Sequence, residues 1–278
     1  MDDELVRGLL KEQHPDLAEL PLRRVAGGWD NAMWRLGDEL AVRLPRTERG
    51  PELLRKEYQW LPELAPRLPL PVPRPQRMGV PSDRFPDTWL VTSWVEGEPA
   101  DRTPISSEQS ADTLAAFLRA LHVKAPEDAP VSPDRGVPLR TLPFDASSLD
   151  VAVRKIWDEA VAAPEWDGPP LWLHGDLHPA NVVVTDGALT GVIDFGDMAA
   201  GDPATDLAAA WVLLPDGAAE RFFDVYAVAD EATIARARGW AAWKALGLIS
   251  VGNAGDRGLP GGKPTWGPAG RRTLERLL

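Results

Sequence analysis

Cysteine is absent from the 278 residues. Its absence excludes disulfides, thiolate catalysis and zinc sites built on cysteine. Long apolar runs are missing too: no stretch approaches the roughly 20 residues that cross a bilayer. The opening MDDELVRGLL is acidic, unlike a secretory leader, which predicts a soluble, cytoplasmic protein that needs no membrane. Positive charge is in deficit, with 30 Lys and Arg against 42 Asp and Glu, a net charge of −12 and a pI near 4.9. That balance argues against a nucleic-acid binder. It would steer a cationic ligand inward, and it would equally serve solubility; charge alone leaves both open. Tyrosine is scarce at 2 residues, whereas there are 12 Trp, 28 Pro and 24 Gly. The chain shows no internal repeat or low-complexity segment, and its length suits one large domain or two lobes.

The informative stretch runs from Leu171 to Asp197, LWLHGDLHPANVVVTDGALTGVIDFGD. Leu171 to Leu173 deliver His174, Gly175 and Asp176 to the end of a short strand, and Asn181 follows. Val182 to Val184 read as a buried strand, Thr185–Asp186–Gly187 as a turn, and Leu189 to Ile193 as the returning strand, which ends at Asp194, Phe195 and Gly196. A carboxylate, an amide and a second carboxylate thus flank a tight hairpin. Phosphoryl transfer requires such a set: one group to orient the attacking hydroxyl, and hard oxygen ligands for the magnesium that bridges the phosphates. Asp176 is the expected catalytic residue, with Asn181 and Asp194 as metal ligands. A hairpin whose Asp and Asn residues only form turns could carry either triplet by chance. Both in order at this spacing form a specific signal.

The protein-kinase pattern is His-Arg-Asp, four residues, Asn, then Asp-Phe-Gly. Here only the Arg is replaced, by Gly175. HGDLHPAN followed by GVIDFGD resembles the aminoglycoside phosphotransferase family, small-molecule kinases that share the protein-kinase core. The resemblance implies an α+β, two-lobed protein-kinase-like fold, with a β-rich N-lobe over residues 1–95 and a mainly helical C-lobe over 96–278. It implies ATP (or GTP) and Mg2+ as cofactors and a small hydroxylated acceptor, cationic if an aminoglycoside, handled by a monomer or weak dimer. The family also holds macrolide kinases and kinases of choline, homoserine and sugars, so a reaction is implied more firmly than a substrate. A catalytically silent, nucleotide-binding pseudokinase is the competing possibility.

In the first third, strands are expected at Leu22 to Ala26, Ala32 to Leu36 and Leu40 to Leu44, with Gly27–Gly28 and Gly37–Asp38 at the turns. This is the layout of a nucleotide loop, in which glycines let backbone N–H groups approach phosphates. A plain hairpin with Gly-Gly at its tip would look the same, since the pattern is not GxGxxG. By resemblance Asp30 and Asn31 are the polar residues of the tip. Arg43 stands where kinases carry the cation that holds the α- and β-phosphates and pairs with a helix glutamate. With Arg46 and Arg49 close behind, a surface arginine is the alternative. A helix starting at Pro51 should place Leu53, Leu54, Tyr58, Leu61 and Leu64 on one side. Within it Glu57 is the expected Arg43 partner and Glu52 the competitor. Arg67 to Pro75 must be extended, because its prolines forbid helix, leading to a hairpin of Gln76 to Val80 and Thr88 to Val95. Trp94 and Val95 then belong to a hinge that takes adenine along its backbone.

Elsewhere, Asp2 should cap a helix ending near His14–Pro15, and Ser106 and Ser107 one containing Leu114, Phe117, Leu118 and Leu121, with His122 as a packing residue. A helix from Leu149 to Ala163 should turn Val153, Ile156, Trp157 and Ala160 inward. Asp206 should begin a helix over Leu207 to Leu214 and, by resemblance, brace the catalytic loop. The chain then reads as helical to about Leu248, followed by a Gly/Pro-rich loop and a last helix over Arg271 to Leu278. Trp211, Trp240 and Trp243 fall in helical patterns and should pack in the core. Trp266, in the loop, is the acceptor-site candidate.

Overall fold

The computed structural model describes residues 1–25, 27–144 and 149–278. Contacts divide the chain into two units: Met1–Pro66 with Pro71–Glu96 and Val192–Gly196, and Arg67–Leu70 with Gly97–Gly191 and Asp197–Leu278.

The first unit is built on a five-stranded antiparallel sheet. Its strands β1 (Leu22–Val25), β2 (Asn31–Leu36), β3 (Leu40–Pro45), β4 (Pro75–Gly79) and β5 (Trp89–Ser93) lie in the order β1-β2-β3-β5-β4. Ala26, expected to end the first strand, lies outside the described residues. The alternating pattern sends Trp34, Leu36, Val42, Leu44, Trp89 and Val91 into a core closed by Val6, Leu9 and Leu10 of helix α1 (Asp3–Gln13). Asp2 caps α1 by accepting from Leu5 N–H. His14 ends it, packing edge-on against Trp89 at 5.2 Å.

Helix α2 (Gly50–Leu64) buries Leu54, Glu57, Leu61 and Leu64, spaced by three or four residues. Tyr58, expected on that face, is exposed, because Glu57 takes the inward position beside it. Glu52 is exposed and is not the partner of Arg43.

In the second unit, β6 (Glu98–Pro99), β8 (Val182–Thr185) and β9 (Ala188–Val192) form a three-stranded sheet, and β7 (Leu171–Leu173) pairs with β10 (Ala199–Gly201). Helix α3 (Ser110–Leu121) begins later than Ser106 and Ser107. Those two donate their N–H groups to Gly187 O at 2.9 and 3.0 Å, so they fasten the hairpin turn instead of capping the helix. Helix α4 (Val151–Ala162) is capped by Asp150 and buries the four residues expected of it. Two short helices, α5 (Ala204–Leu207) and α6 (Ala209–Val212), stand where one was expected, followed by α7 (Ala218–Tyr226).

The largest departure comes next. Helix α8 (Glu231–Asp256) runs straight through Gly252 and Gly255, and α9 (Trp266–Leu277) begins at Trp266, a residue expected in the loop. The glycines mark contact instead of breakage. A Cβ at Gly252 would collide with the Gly267 backbone of α9, and one at Gly270 with Ala245 O of α8. Two helices in backbone contact offset the propensity cost of glycine, about 1 kcal/mol per residue. Among the described residues no helix is long and apolar enough to cross a membrane.

Candidate active site

In the first unit, β3 carries Arg43 on a buried position facing α2. Arg43 Nη1 donates to Glu57 Oε2 at 2.5 Å, and Nη2 reaches Asp194 Oδ1 at 3.5 Å. Burial works against the guanidinium charge, but Glu57, Asp194 and Asp30 outweigh it and raise its pKa. Asp194 adopts a left-handed backbone, φ 63°, an uncommon conformation that Asp tolerates better than most residues. A Cβ on Gly28 would stand 3.7 Å from Asp194 Oδ2, so the glycine turn lies beside this carboxylate.

The other loop residues act on the loop itself. Asp30 Oδ1 accepts from Thr47 Oγ1 at 2.5 Å, and Asp30 O accepts from Arg46 N–H at 2.9 Å. The Arg46 guanidinium also donates to Trp29 O at 3.0 Å, while the Trp29 ring is exposed at the tip. Asn31 opens β2, buried, and its Oδ1 has no partner among the described residues. Past β5, Trp94 N–H is committed to Glu39 O at 2.7 Å and its ring lies under Arg35, 4.9 Å from the guanidinium carbon. Val95 follows, buried.

In the second unit, β7 ends at the loop that carries His174, Gly175 and Asp176. Gly175 has φ 82°, and a side chain there would meet Asp197 O, which explains glycine where kinases have arginine. Asp206, fully buried, accepts from His174 N–H at 2.7 Å and Gly175 N–H at 2.9 Å. It braces the loop from α5 and does not begin its own helix; Asp202 takes Ala204 N–H instead. His122, at the end of α3, joins Asp206 Oδ2 at 3.3 Å and Tyr226 Oη at 2.8 Å.

Asp176 is the focus of this loop. Asn181 Nδ2 donates to Asp176 O at 2.9 Å and Oδ2 at 3.2 Å, His178 Nε2 lies 3.4 Å from Oδ2, and Arg135 Nη2 lies 3.6 Å from Oδ1. Burial opposes the carboxylate's charge, yet His178, Lys244 and Arg135 hold its pKa well below the usual range. A group so fully ionised suits orientation of a hydroxyl. Committing Nδ2 to Asp176 leaves the Asn181 carbonyl oxygen of the second unit as a hard donor, and in the first unit Asp194 offers a carboxylate oxygen. Each is the kind of donor that Mg2+ takes beside waters and phosphates.

The profile of the phosphotransferase enzyme family, APH, matches residues 21–246. The chain belongs to that family. Aminoglycoside 3'-phosphotransferases of Escherichia coli and Salmonella typhimurium are each 29% identical over 161 residues, covering 51% of this chain. The match spans 59% of the length of those relatives. Among solved structures, the GDP complex of aminoglycoside 2'-phosphotransferase-IIIa superposes with a TM-score of 0.73 at 20% identity, over 100% of this chain and 98% of that one. A macrolide 2'-phosphotransferase of Brachybacterium faecium gives 0.65 at 23% identity, over 98% and 97%. Identities this low establish the protein-kinase-like fold: an antiparallel sheet in one unit and a helical second unit.

Three participants lay outside the phosphotransferase motifs. Arg135 sits in a connecting segment after α3, stacked 5.5 Å over Trp243 and paired with Asp134 at 2.9 Å. Lys244 lies on α8, where its apolar neighbours disguise it as part of a packed helix. Trp266 packs on His178 with ring centroids 4.5 Å apart, which connects α9 to the group beside Asp176. Trp211 and Trp240 are buried as expected; Trp243 is half-buried under Arg135.

Proposed function

We propose that this protein is an ATP- or GTP-dependent O-phosphotransferase acting on a hydroxyl of a small molecule, an aminoglycoside-like antibiotic first among acceptors. The observation that carries the assignment is the Arg43 guanidinium, held between Glu57 and Asp194. A surface arginine or a silent hairpin has no use for a buried cation against the metal-ligand carboxylate. Pseudokinases usually lose the cation, the base or a metal ligand; Arg43, Asp176, Asn181 and Asp194 are all present, and only the exchange of Lys for Arg at position 43 favours a silent protein. The net charge of −12 is compatible with a cationic acceptor and, together with the family, puts an aminoglycoside first; Arg in place of Lys at position 43 favours a macrolide as the second choice.

Each residue then has one task. Arg43, braced by Glu57, holds the α- and β-phosphates, and the glycine turn at Gly27–Gly28 covers them with backbone N–H groups. The linker at Trp94 and Val95 receives the base through backbone groups, with the Trp94 N–H already engaged and Val95 next in line. Asn181 and Asp194 would hold Mg2+, which would neutralise charge on the phosphates. Asp176 accepts a hydrogen bond from the acceptor hydroxyl and orients its oxygen for in-line attack, taking the proton as the new P–O bond forms and the bond to the nucleoside diphosphate breaks.

The test is Mg2+-dependent ADP release from ATP, repeated with GTP, across kanamycin, a macrolide, an amino sugar, choline and homoserine. Acceptor-stimulated turnover that Asp176→Asn abolishes is the expected outcome. Tight nucleotide binding without turnover on any acceptor would favour the pseudokinase, and no nucleotide binding at all would sink the assignment.

A further inference from the structure

The backbone around Asp176 has its donors and acceptors satisfied from different places. The N–H groups of His174 and Gly175 go to Asp206, and the N–H of Asp176 goes to His174 Nδ1 at 3.2 Å. Those partners are within the family's motifs or next to them. The carbonyls are held from elsewhere: Lys244 Nζ, on α8, donates to Gly175 O at 3.3 Å and to Leu177 O at 3.4 Å. These two carbonyls flank Asp176 in the chain. Lys244 is only 7% exposed. Its desolvation is costly, and among the described residues it makes no direct salt bridge that would offset the cost; the carboxylates of Asp176, Asp206 and Asp197 act on it at longer range, against Arg135. A methionine would fill the same space without that cost. The ammonium therefore does something that packing does not require.

We propose that Lys244 is a positioning residue of the phosphotransferase reaction: from α8 it clamps the carbonyls on either side of Asp176 and so sets the direction in which that carboxylate meets the acceptor hydroxyl. The proposal rests on the role assigned to Asp176 above. Losing the clamp frees both peptide planes beside Asp176, and a misplacement of about 1 Å at a reacting group costs on the order of 100-fold in rate. The nucleotide-binding residues Arg43 and Glu57 belong to the other unit and bond one another, so nucleotide affinity should not change.

The experiment compares wild type with Lys244→Met, Lys244→Gln and Lys244→Arg. Steady-state ADP release is measured with kanamycin as acceptor, or with water as acceptor if kanamycin is not turned over, alongside nucleotide affinity and thermal unfolding. Lys244→Met should lose roughly 10- to 100-fold in kcat with the nucleotide KM unchanged. Lys244→Gln, which keeps a donor, should lose less, and Lys244→Arg should recover most of the rate. If Lys244→Met fails to fold, the Gln and Arg variants decide. Wild-type kcat in Lys244→Gln or Lys244→Met overturns the proposal, as does a loss shared equally by kcat and nucleotide affinity. If Asp176→Asn is as active as wild type, the role of Asp176 fails instead, and the Lys244 proposal falls with it.

Discussion

Arg43 and Glu57 meet at 2.5 Å on adjoining elements, the guanidinium 6% exposed and the carboxylate fully buried. Such a pair adds little net stability when intact, because desolvation offsets most of the attraction. Breaking it is another matter. Glu57→Ala leaves a buried arginine facing Asp194 alone and should destabilise the protein by about 3–5 kcal/mol, read from denaturant unfolding. Nucleotide affinity should fall with it. A change below about 1 kcal/mol, the range of exposed pairs, would show that the two are not desolvated in solution.

The proposed assignment of Asn181 and Asp194 to Mg2+ predicts a specific kinetic signature. Asn181→Ala and Asp194→Asn should each raise the Mg2+ concentration needed for half-maximal ADP release, with Asp194→Asn the more severe because it also removes the charge facing Arg43. Chelation by EDTA should abolish turnover in the wild type. Full activity in EDTA, or an unchanged Mg2+ requirement in both variants, would remove these residues from the metal site.

Asp206 connects the catalytic loop to stability at low pH. Burial would raise its pKa, but His122 through its hydrogen bond, with His174 and Lys244, lowers it below the unfolded value. A lowered carboxylate pKa means that the unfolded state binds the proton first. The stabilisation is therefore present above the unfolded pKa, near 3.9, and is lost as pH falls through the folded one. Asp206→Asn should flatten the acid limb of the stability profile below about pH 4 and cost about 2–5 kcal/mol at neutral pH, since it leaves buried N–H groups and His122 poorly paired. An acid limb identical to wild type would contradict this account.

Gly252→Val tests the contact between α8 and α9. The new side chain would meet the Gly267 backbone, where nothing flexible can yield. A loss of about 1–3 kcal/mol is expected, against a gain if the position were an ordinary helix interior. Increased thermal stability would show that the two helices are not in backbone contact.

What the sequence determined by itself was local or strictly spaced. The strand–turn–strand pattern predicted β8 and β9, the hairpin that separates Asn181 from Asp194 in the chain. The Arg43–Glu57 pairing was legible as well, because a strand position and a helical face each have a fixed period. Only the tertiary structure decided the rest. Asp30 and Asn31 looked alike as polar tip residues, yet one is tied to Thr47 and the other is buried at the start of β2. Glycines at 252 and 255 read as helix breakers, since propensity is a local quantity and the backbone that compensates for them, of α9 at Gly252 and of Lys263–Pro264 at Gly255, is not. Lys244 and Arg135 reach Asp176 or its flanking carbonyls from more than 40 residues away in sequence, in opposite directions. No periodicity or spacing rule spans that separation; it is closed only when α8 and the segment after α3 pack around the catalytic loop, where a low-dielectric interior makes each charge count.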